Sequence, residues 1–310
     1  MRIAIVGAGM AGLACGRALT EAGHDVALFD KGRRPGGRMA SRQTDTPLGP
    51  AGFDHGAQYL TARDPGFRAE LEAWRAKKIV APWPAAGPEA WVGVPDMSAP
   101  LRAMADGLPI RWSHRIEILA RETEGWRLRG QEFDAGGFDA VLTALPAEQT
   151  AALLHEAAPE IAATAAATPS EPCWTAMAAF SERLDGIPDT LRSEGDVAWA
   201  ARDSAKPGRG GPEAFVIQAS AAWSRENLER SAEDVARDLL TRFFEAGGAT
   251  PVAPAHLAAH RWRYAASGKA GRDRLWDPAR GIGACGDWLI GPRIENAWLS
   301  GHRLAAALGR

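Results

Sequence analysis

The chain has 310 residues, 46% hydrophobic and 24% charged, close to globular averages; this excludes a disordered or fibrous protein and gives length enough for about two domains. Lys and Arg number 36 against 38 Asp and Glu, a formal charge of −2, so no global positive field exists to hold nucleic acid or an anionic membrane. Five of the cations are lysines (Lys31, Lys77, Lys78, Lys206, Lys269), leaving 31 arginines. Three cysteines, Cys15, Cys173 and Cys285, lie far apart with no zinc-type spacing, which points to a reducing cytoplasmic setting and to no metal site. No apolar run is long enough to span a membrane.

In chain order, Ile3 to Val6 reads as a buried strand rather than a secretory leader, because glycines interrupt the apolar stretch. A turn at Gly7-Ala8-Gly9-Met10-Ala11-Gly12 leads into a helix from Leu13 that Gly23 ends, and a second strand runs from Val26 to Asp30. Asp64-Pro65 is an N-cap followed by proline at the first helical position, starting a helix to about Lys77. The proline- and tryptophan-rich stretch from Ala81 to Pro95 breaks the periodicity and reads as a linker or a crossing between domains. Arg111 to Ala120, Gly125 to Arg129 and Gln131 to Asp134 form a meander, followed by an apolar strand from Phe138 and helices over Ala147–Leu154 and Glu160–Ala167. Strands are expected at Cys173–Phe180, Val197–Ala201, Ala214–Ala219 and His256–Tyr264, and helices at Ser231–Ala246 and Ile294–Leu308. Ala205 to Pro212, rich in glycine and proline, reads as an exposed loop.

Gly7-x-Gly9-x-x-Gly12, between a strand and a helix, lets backbone approach a pyrophosphate and aims free N–H groups at its charge. Asp30 ends the second strand, where a carboxylate can accept hydrogen bonds from a ribose diol. Lys31-Gly32-Arg33-Arg34-Pro35-Gly36-Gly37-Arg38 follows at once: its glycines again permit close approach, and Arg38 can neutralise phosphate oxygens. Near the far end, Gly286-Asp287 precedes Gly291 and the last helix.

These three elements, in this order, resemble the FAD proteins of the glutathione-reductase-like, amine-oxidase superfamily. Asp54-His55-Gly56-Ala57-Gln58-Tyr59-Leu60-Thr61-Ala62-Arg63, His260-Arg261-Trp262-Arg263-Tyr264-Ala265, Cys285-Gly286-Asp287-Trp288 and Ala297-Trp298-Leu299-Ser300-Gly301 resemble, within that superfamily, the bacterial renalases. Residues 81 to 255 carry little of the likeness. Asp30 stands where a glutamate is more usual, and Ile294-Glu295-Asn296 where the bacterial pattern has Val-Glu-Gly, so Asn296 adds a side chain near the expected isoalloxazine edge.

The resemblance implies an α/β fold: a Rossmann-type FAD-binding domain from residues 1–75, 98–155 and 270–310, with a second, mixed α+β substrate domain from 76–97 and 156–269. It implies an FAD oxidase that takes hydride from the 2- or 6-dihydro isomers of NAD(P)H and passes electrons to O2, giving β-NAD(P)+ and hydrogen peroxide. A dihydropyridine is already a hydride donor, so stacking rather than a catalytic acid or base is required, and no catalytic side chain is assigned. FAD, held non-covalently because Cys285 sits in no tethering motif, is expected on Gly7, Gly9, Gly12, Asp30, Lys31, Gly37, Arg38, Gly286 and Asp287. Tyr59 and Trp288 either flank the nicotinamide ring or pack in the core, and His260 either binds the carboxamide or is a satisfied strand histidine. On a strand, Trp262 and Tyr264 share the face of His260, and Arg263 points away. Two rival readings share the fold: a flavin amine oxidase, for which Lys269 is the lysine to test, and a non-catalytic flavin or dinucleotide sensor.

Overall fold

The computed structural model describes residues 1–193 and 195–308. Arg2–Val6 lies inside a six-stranded sheet, parallel to Asp25–Asp30 on one side and to Ala140–Thr143 on the other. Ile110–Trp112 extends the sheet past Asp25–Asp30; Ile282–Ala284 and the antiparallel Leu275–Asp277 extend it past Ala140–Thr143. Strands covered on both faces must be apolar throughout, and Ile3, Ala4, Ile5 and Ala140 to Leu142 are fully buried.

Helix Met10–Glu21 returns the chain over this sheet and stops where predicted, at Gly23 with φ +84°, whose N–H and that of His24 reach the Thr20 and Leu19 carbonyls at 3.0 Å. The last helix, Ile294–Leu308, packs directly on it. A Cβ on Gly301 would fall on the Ala11 carbonyl oxygen, so this approach requires glycine. The Asp64 cap also forms, its carboxylate accepting from the N–H groups of Gly66 and Phe67 at 2.8 and 3.2 Å.

A second, five-stranded antiparallel sheet runs in the order Thr190–Arg192, Val197–Arg202, Glu213–Ala219, Glu171–Phe180, His256–Ala266. One face takes helix Ala232–Gly247, whose Val235, Leu239, Phe243 and Phe244 cluster with Ala176, Ala178, Phe215 and Ile217. The other face takes the hairpin Arg42–Thr46/Gly49–Phe53, whose Ala51 and Phe53 join Met177, Ala179 and Val216. Enclosure on both sides explains why strand Glu171–Phe180 carries Ala176, Ala178 and Ala179: larger side chains would force the layers apart.

Several expectations need correction. The stretch from Ala81 to Pro95 is not a linker: Val80–Pro82 pairs with Trp91–Gly93, and Trp83 and Val92 are core residues beside Leu60 and Trp74. The first strand of the expected meander is two strands: Ile110–Trp112 in the large sheet and Ile118–Glu122 in a three-stranded one with Gly125–Gly130 and Phe133–Phe138. The loop from Ala205 to Pro212 is exposed only in part: Gly208, Gly210 and Gly211 face solvent, but Lys206 is 2% accessible. Packing also crosses the expected domain lines. Helix Pro159–Ala166 joins the core of the six-stranded sheet, whereas the hairpin at Arg42–Phe53 joins the five-stranded one.

Candidate active site

The glycines of the first turn divide by what surrounds them. A Cβ on Gly12 would land on the Gly7 carbonyl oxygen, and one on Gly7, whose φ is +107°, would sit 2.6 Å from the Ala144 carbonyl. These two glycines are required by the protein's own packing. Gly9 differs, because a Cβ there meets no protein atom within 4 Å. It caps helix Met10–Glu21 without a side-chain hydrogen bond and with no acid in the first turn, so the helix presents uncapped N–H groups to this open side. Gly37 comes close from the other loop, its Cβ direction ending 3.6 Å from Gly9 Cα. Asp30 braces the turn, accepting from Ala8 N–H and Gly32 N–H at 2.7 Å each, and a carboxylate so used keeps further lone pairs for a diol. A cavity of about 500 Å³ lined by Pro35, Leu108 and Trp112 lies beside it. Lys31 is exposed.

Arg38 and Asp287, nearly the length of the chain apart, form a bidentate pair at 3.0 and 2.6 Å. Asp287 also accepts from Ser267 Oγ at 3.0 Å, and Gly286 N–H donates to Ser300 Oγ at 3.0 Å. The guanidinium spends two of its five N–H groups on this pair and keeps three. An open glycine, an uncapped helix start, a braced acid and a guanidinium with donors to spare fit a dinucleotide pyrophosphate and ribose. The cradle therefore suits FAD, with Arg38 and Asp287 acting as one unit.

Above this cradle runs the segment Asp54–Leu60. A Cβ on Gly56 would strike the Arg38 carbonyl oxygen, and Ala57 N–H donates to that oxygen at 2.8 Å, so the segment rests on the Arg38 loop. The five-stranded sheet faces its other side. Strand register aligns Arg192, Trp199, Gln218, Thr175 and His260 in one row across all five strands. Gln218 Nε2 donates to the Gly56 carbonyl at 2.8 Å, and Tyr59 lies 5.7 Å from Trp199 with its hydroxyl accepting from Arg192 at 3.1 Å. His260 meets His55 edge-on at 5.0 Å, while Trp262 stacks on His55 at 5.3 Å and donates to its carbonyl at 2.8 Å. Arg261 and Arg263 turn the opposite way, both to Glu229, as alternation requires. Tyr59 and His260 thus share one roof.

Trp288 does not join them, which corrects the substrate role considered for it. Its ring is fully buried in the cluster with Val6, Ala147 and Ile282, enclosed by protein on all sides. Asn296 is also turned aside, its amide donating to the Gly291 carbonyl at 2.9 Å and bracing its own turn. Glu295, missed as a site residue, accepts from the N–H groups of Arg63 and Asp64 at 2.5 Å and ties the last helix to the end of the roof segment.

Sequence reasoning also missed a buried charge cluster behind the roof. Lys206 Nζ lies 3.1 Å from Asp54 Oδ2, 2.5 Å from Asp203 Oδ1 and 3.2 Å from Gln58 Oε1, and Arg209 reaches Asp54 Oδ2 at 2.5 Å. Asp54 also accepts from Ser41 Oγ and Met97 N–H. Burial alone would raise the Asp54 carboxyl, but Lys206 and Arg209 outweigh it and hold the group well below the usual range; burial and then Asp54 raise Asp203.

Burial first, then His260 and Arg42, push the His55 imidazole down to about 4; burial and Arg42 also lower His260 and His256. A histidine with a folded pKa below its unfolded value near 6.5 takes up a proton more readily when unfolded. Its contribution to stability is therefore complete above about pH 6.5 and is lost as pH falls toward 4. For His55 this amounts to about 2–3 kcal/mol. Urea unfolding midpoints should fall steeply over that window, and less steeply in His55→Gln; identical slopes would refute the assignment.

Residues 5–72 match the family described as NAD(P)-binding Rossmann-like domain. The whole chain superposes on a protein titled a protoporphyrinogen oxidase from Exiguobacterium sp. 255-15 with TM-score 0.78, at 12% identity, covering 99% of this chain and 98% of that one. It superposes on cyclohexylamine oxidase from Brevibacterium oxydans IH-35A with TM-score 0.73, and on a CLA-producing fatty acid isomerase from P. acnes with 0.68, each at 13% identity with 99% and 98% coverage. The chain therefore has a mixed α/β fold with a Rossmann-like domain, shared over its whole length with these structures. At this identity the likeness is one of fold, and one relative is titled an isomerase, so the reaction has to be argued from the site. No helix among the described residues is long and apolar enough to cross a membrane.

Proposed function

We propose that this chain is an FAD-dependent oxidoreductase that oxidises the 2- and 6-dihydro isomers of NAD(P)H to β-NAD(P)+, with dioxygen reduced to hydrogen peroxide. The observation that carries the reading is the row Arg192, Trp199, Gln218, Thr175, His260, laid over Asp54–Leu60 and continued by Tyr59 and Trp262. It supplies aromatic faces to a flat ring and amide, hydroxyl and imidazole groups to a carboxamide. Bound flavin would supply the hydride acceptor at N5 and the centre that dioxygen reoxidises.

The protein's part is then positional. Gly9, Gly37, Asp30 and the Arg38–Asp287 pair bind the cofactor; Tyr59, Trp199 and His260 orient the ring and exclude water. Nothing in this roof has to remove a proton, which suits a donor that needs none removed. The lysine named by the amine-oxidase reading, Lys269, is exposed on the surface, and Lys206 is enclosed and paired with Asp54 and Asp203.

Anaerobic stopped-flow of the yellow protein against 2-dihydro-NAD, 6-dihydro-NAD, NADH and a panel of amines tests the proposal. Rapid bleaching by an isomer, with β-NAD+ formed and NADH slow, is expected. Bleaching by amines alone would transfer the assignment to amine oxidation, and no bleaching by any donor would overturn both.

A further inference from the structure

On the side of the roof away from Arg192, one guanidinium and three imidazoles lie on neighbouring segments, and Asp54, next to His55, is the acid that acts on that ring. Arg42 opens the hairpin strand that pairs with Phe53, and Phe53 lies 5.8 Å from the ring of His256. His256 and His260 point from one face of the same strand, with Ala258 between them, and His55 meets His260 at 5.0 Å. Paired with Phe53, two residues before His55, Arg42 disfavours the protonated form of all three rings. Among the described residues it has no ion-pair partner. Asp54 is already engaged by Lys206, Arg209, Ser41 and Met97. His55 is 6% accessible, yet its Nδ1 has no hydrogen-bond partner. A buried polar atom without a partner beside a guanidinium without a counter-charge is costly unless a ligand completes the set.

We infer that Arg42, with His55 and His256, holds an anionic group of the reducing substrate, a phosphate of the dinucleotide. This rests on the proposed function and adds the substrate's anchoring point to it. The lining also discriminates: a protonated amine would meet only cations and neutral imidazoles here, whereas a phosphate oxygen would find charge-assisted donors. The pyridine ring under Tyr59 and Trp199 and the phosphate at Arg42 would then be held at two ends of one roof.

Calorimetric titration of the FAD-loaded protein with inorganic pyrophosphate reads this site without turnover. Saturable binding is expected in the unaltered protein, weakened at least about tenfold in Arg42→Ala and largely kept in Arg42→Lys, with flavin absorbance and thermal midpoint unchanged. In stopped-flow, Arg42→Ala should raise the dissociation constant for the dihydronicotinamide by a similar factor and leave the limiting rate of flavin reduction within about twofold. No saturable pyrophosphate binding, or equal binding in Arg42→Ala, would overturn the inference. The two proposals separate cleanly. Arg42-dependent anion binding supports the site whether or not any isomer bleaches the flavin, and bleaching without it removes the site but leaves the reaction.

Discussion

Replacing Lys206 with methionine should cost about 3–5 kcal/mol of folding stability, among the largest effects available to a single residue in this chain. Its side chain is 0% accessible, and its ammonium touches Asp54, Asp203 and Gln58 while lying 5.3 Å over Trp83. Without it, two carboxylates with side chains 1% accessible face each other, and Arg209 alone opposes them. The penalty is that of an uncompensated buried charge more than of a lost attraction. Lys206→Met combined with Asp203→Asn should therefore recover a large part of the loss. Urea unfolding at pH 7.5 measures both; a shift below about 1 kcal/mol in the single variant would mean that the cluster is not what holds the roof segment down. Asp54 is followed directly by His55, so the single variant should also blur the His55–His260 contact and slow flavin reduction.

The second large effect contrasts two glycines three residues apart. Gly12→Ala puts a methyl onto the Gly7 carbonyl and 3.2 Å from Ala144 Cβ, so it should lower stability by about 1–3 kcal/mol and release the cofactor. Gly9→Ala meets no protein atom within 4 Å, and should unfold within about 0.5 kcal/mol of the unaltered chain. It should nevertheless lose FAD affinity about tenfold or more, because its methyl points where a pyrophosphate must come close. Flavin fluorescence on dilution reads the affinity and urea reads the stability. A Gly9→Ala protein that keeps its flavin as tightly as before would show that this face of the turn is not the cofactor's.

The N-terminal unit was legible because its signals are local. A strand, three glycines, a helix stopped by Gly23 and a strand ended by Asp30 each follow from neighbours a few residues away. The same holds for the direction of His260 against Arg263, which two-residue alternation decides. The roof was not legible, because the row from Arg192 to His260 depends on register between strands far apart in sequence, and no local signal carries register. Lys206 failed for a related reason. A Gly/Pro-rich stretch reads as solvated by composition, but its burial is decided by Asp54, which belongs to another part of the chain. Trp288 was misread through proximity to a motif. In the short helical turn Asp287–Ile290, successive side chains diverge by roughly 100°, so the residue that turns Asp287 toward Arg38 turns its neighbour into the core.

The contact of Gly301 with Ala11 has a consequence for how the molecule is made. The helix Met10–Glu21 leaves the ribosome long before the segment that covers it, and Ile282–Ala284 completes its sheet only shortly before that segment. Until then the face of this helix at Ala11 and Cys15 has no permanent cover, so the N-terminal half cannot settle as an independent unit while the chain is still tethered. Nascent chains halted before Ile294 should therefore be cut readily by protease within the first forty residues and be held by chaperones, whereas chains extended well past Leu308 should resist. The cofactor cradle, written almost entirely in the opening residues, becomes a binding site only once synthesis reaches the closing helix.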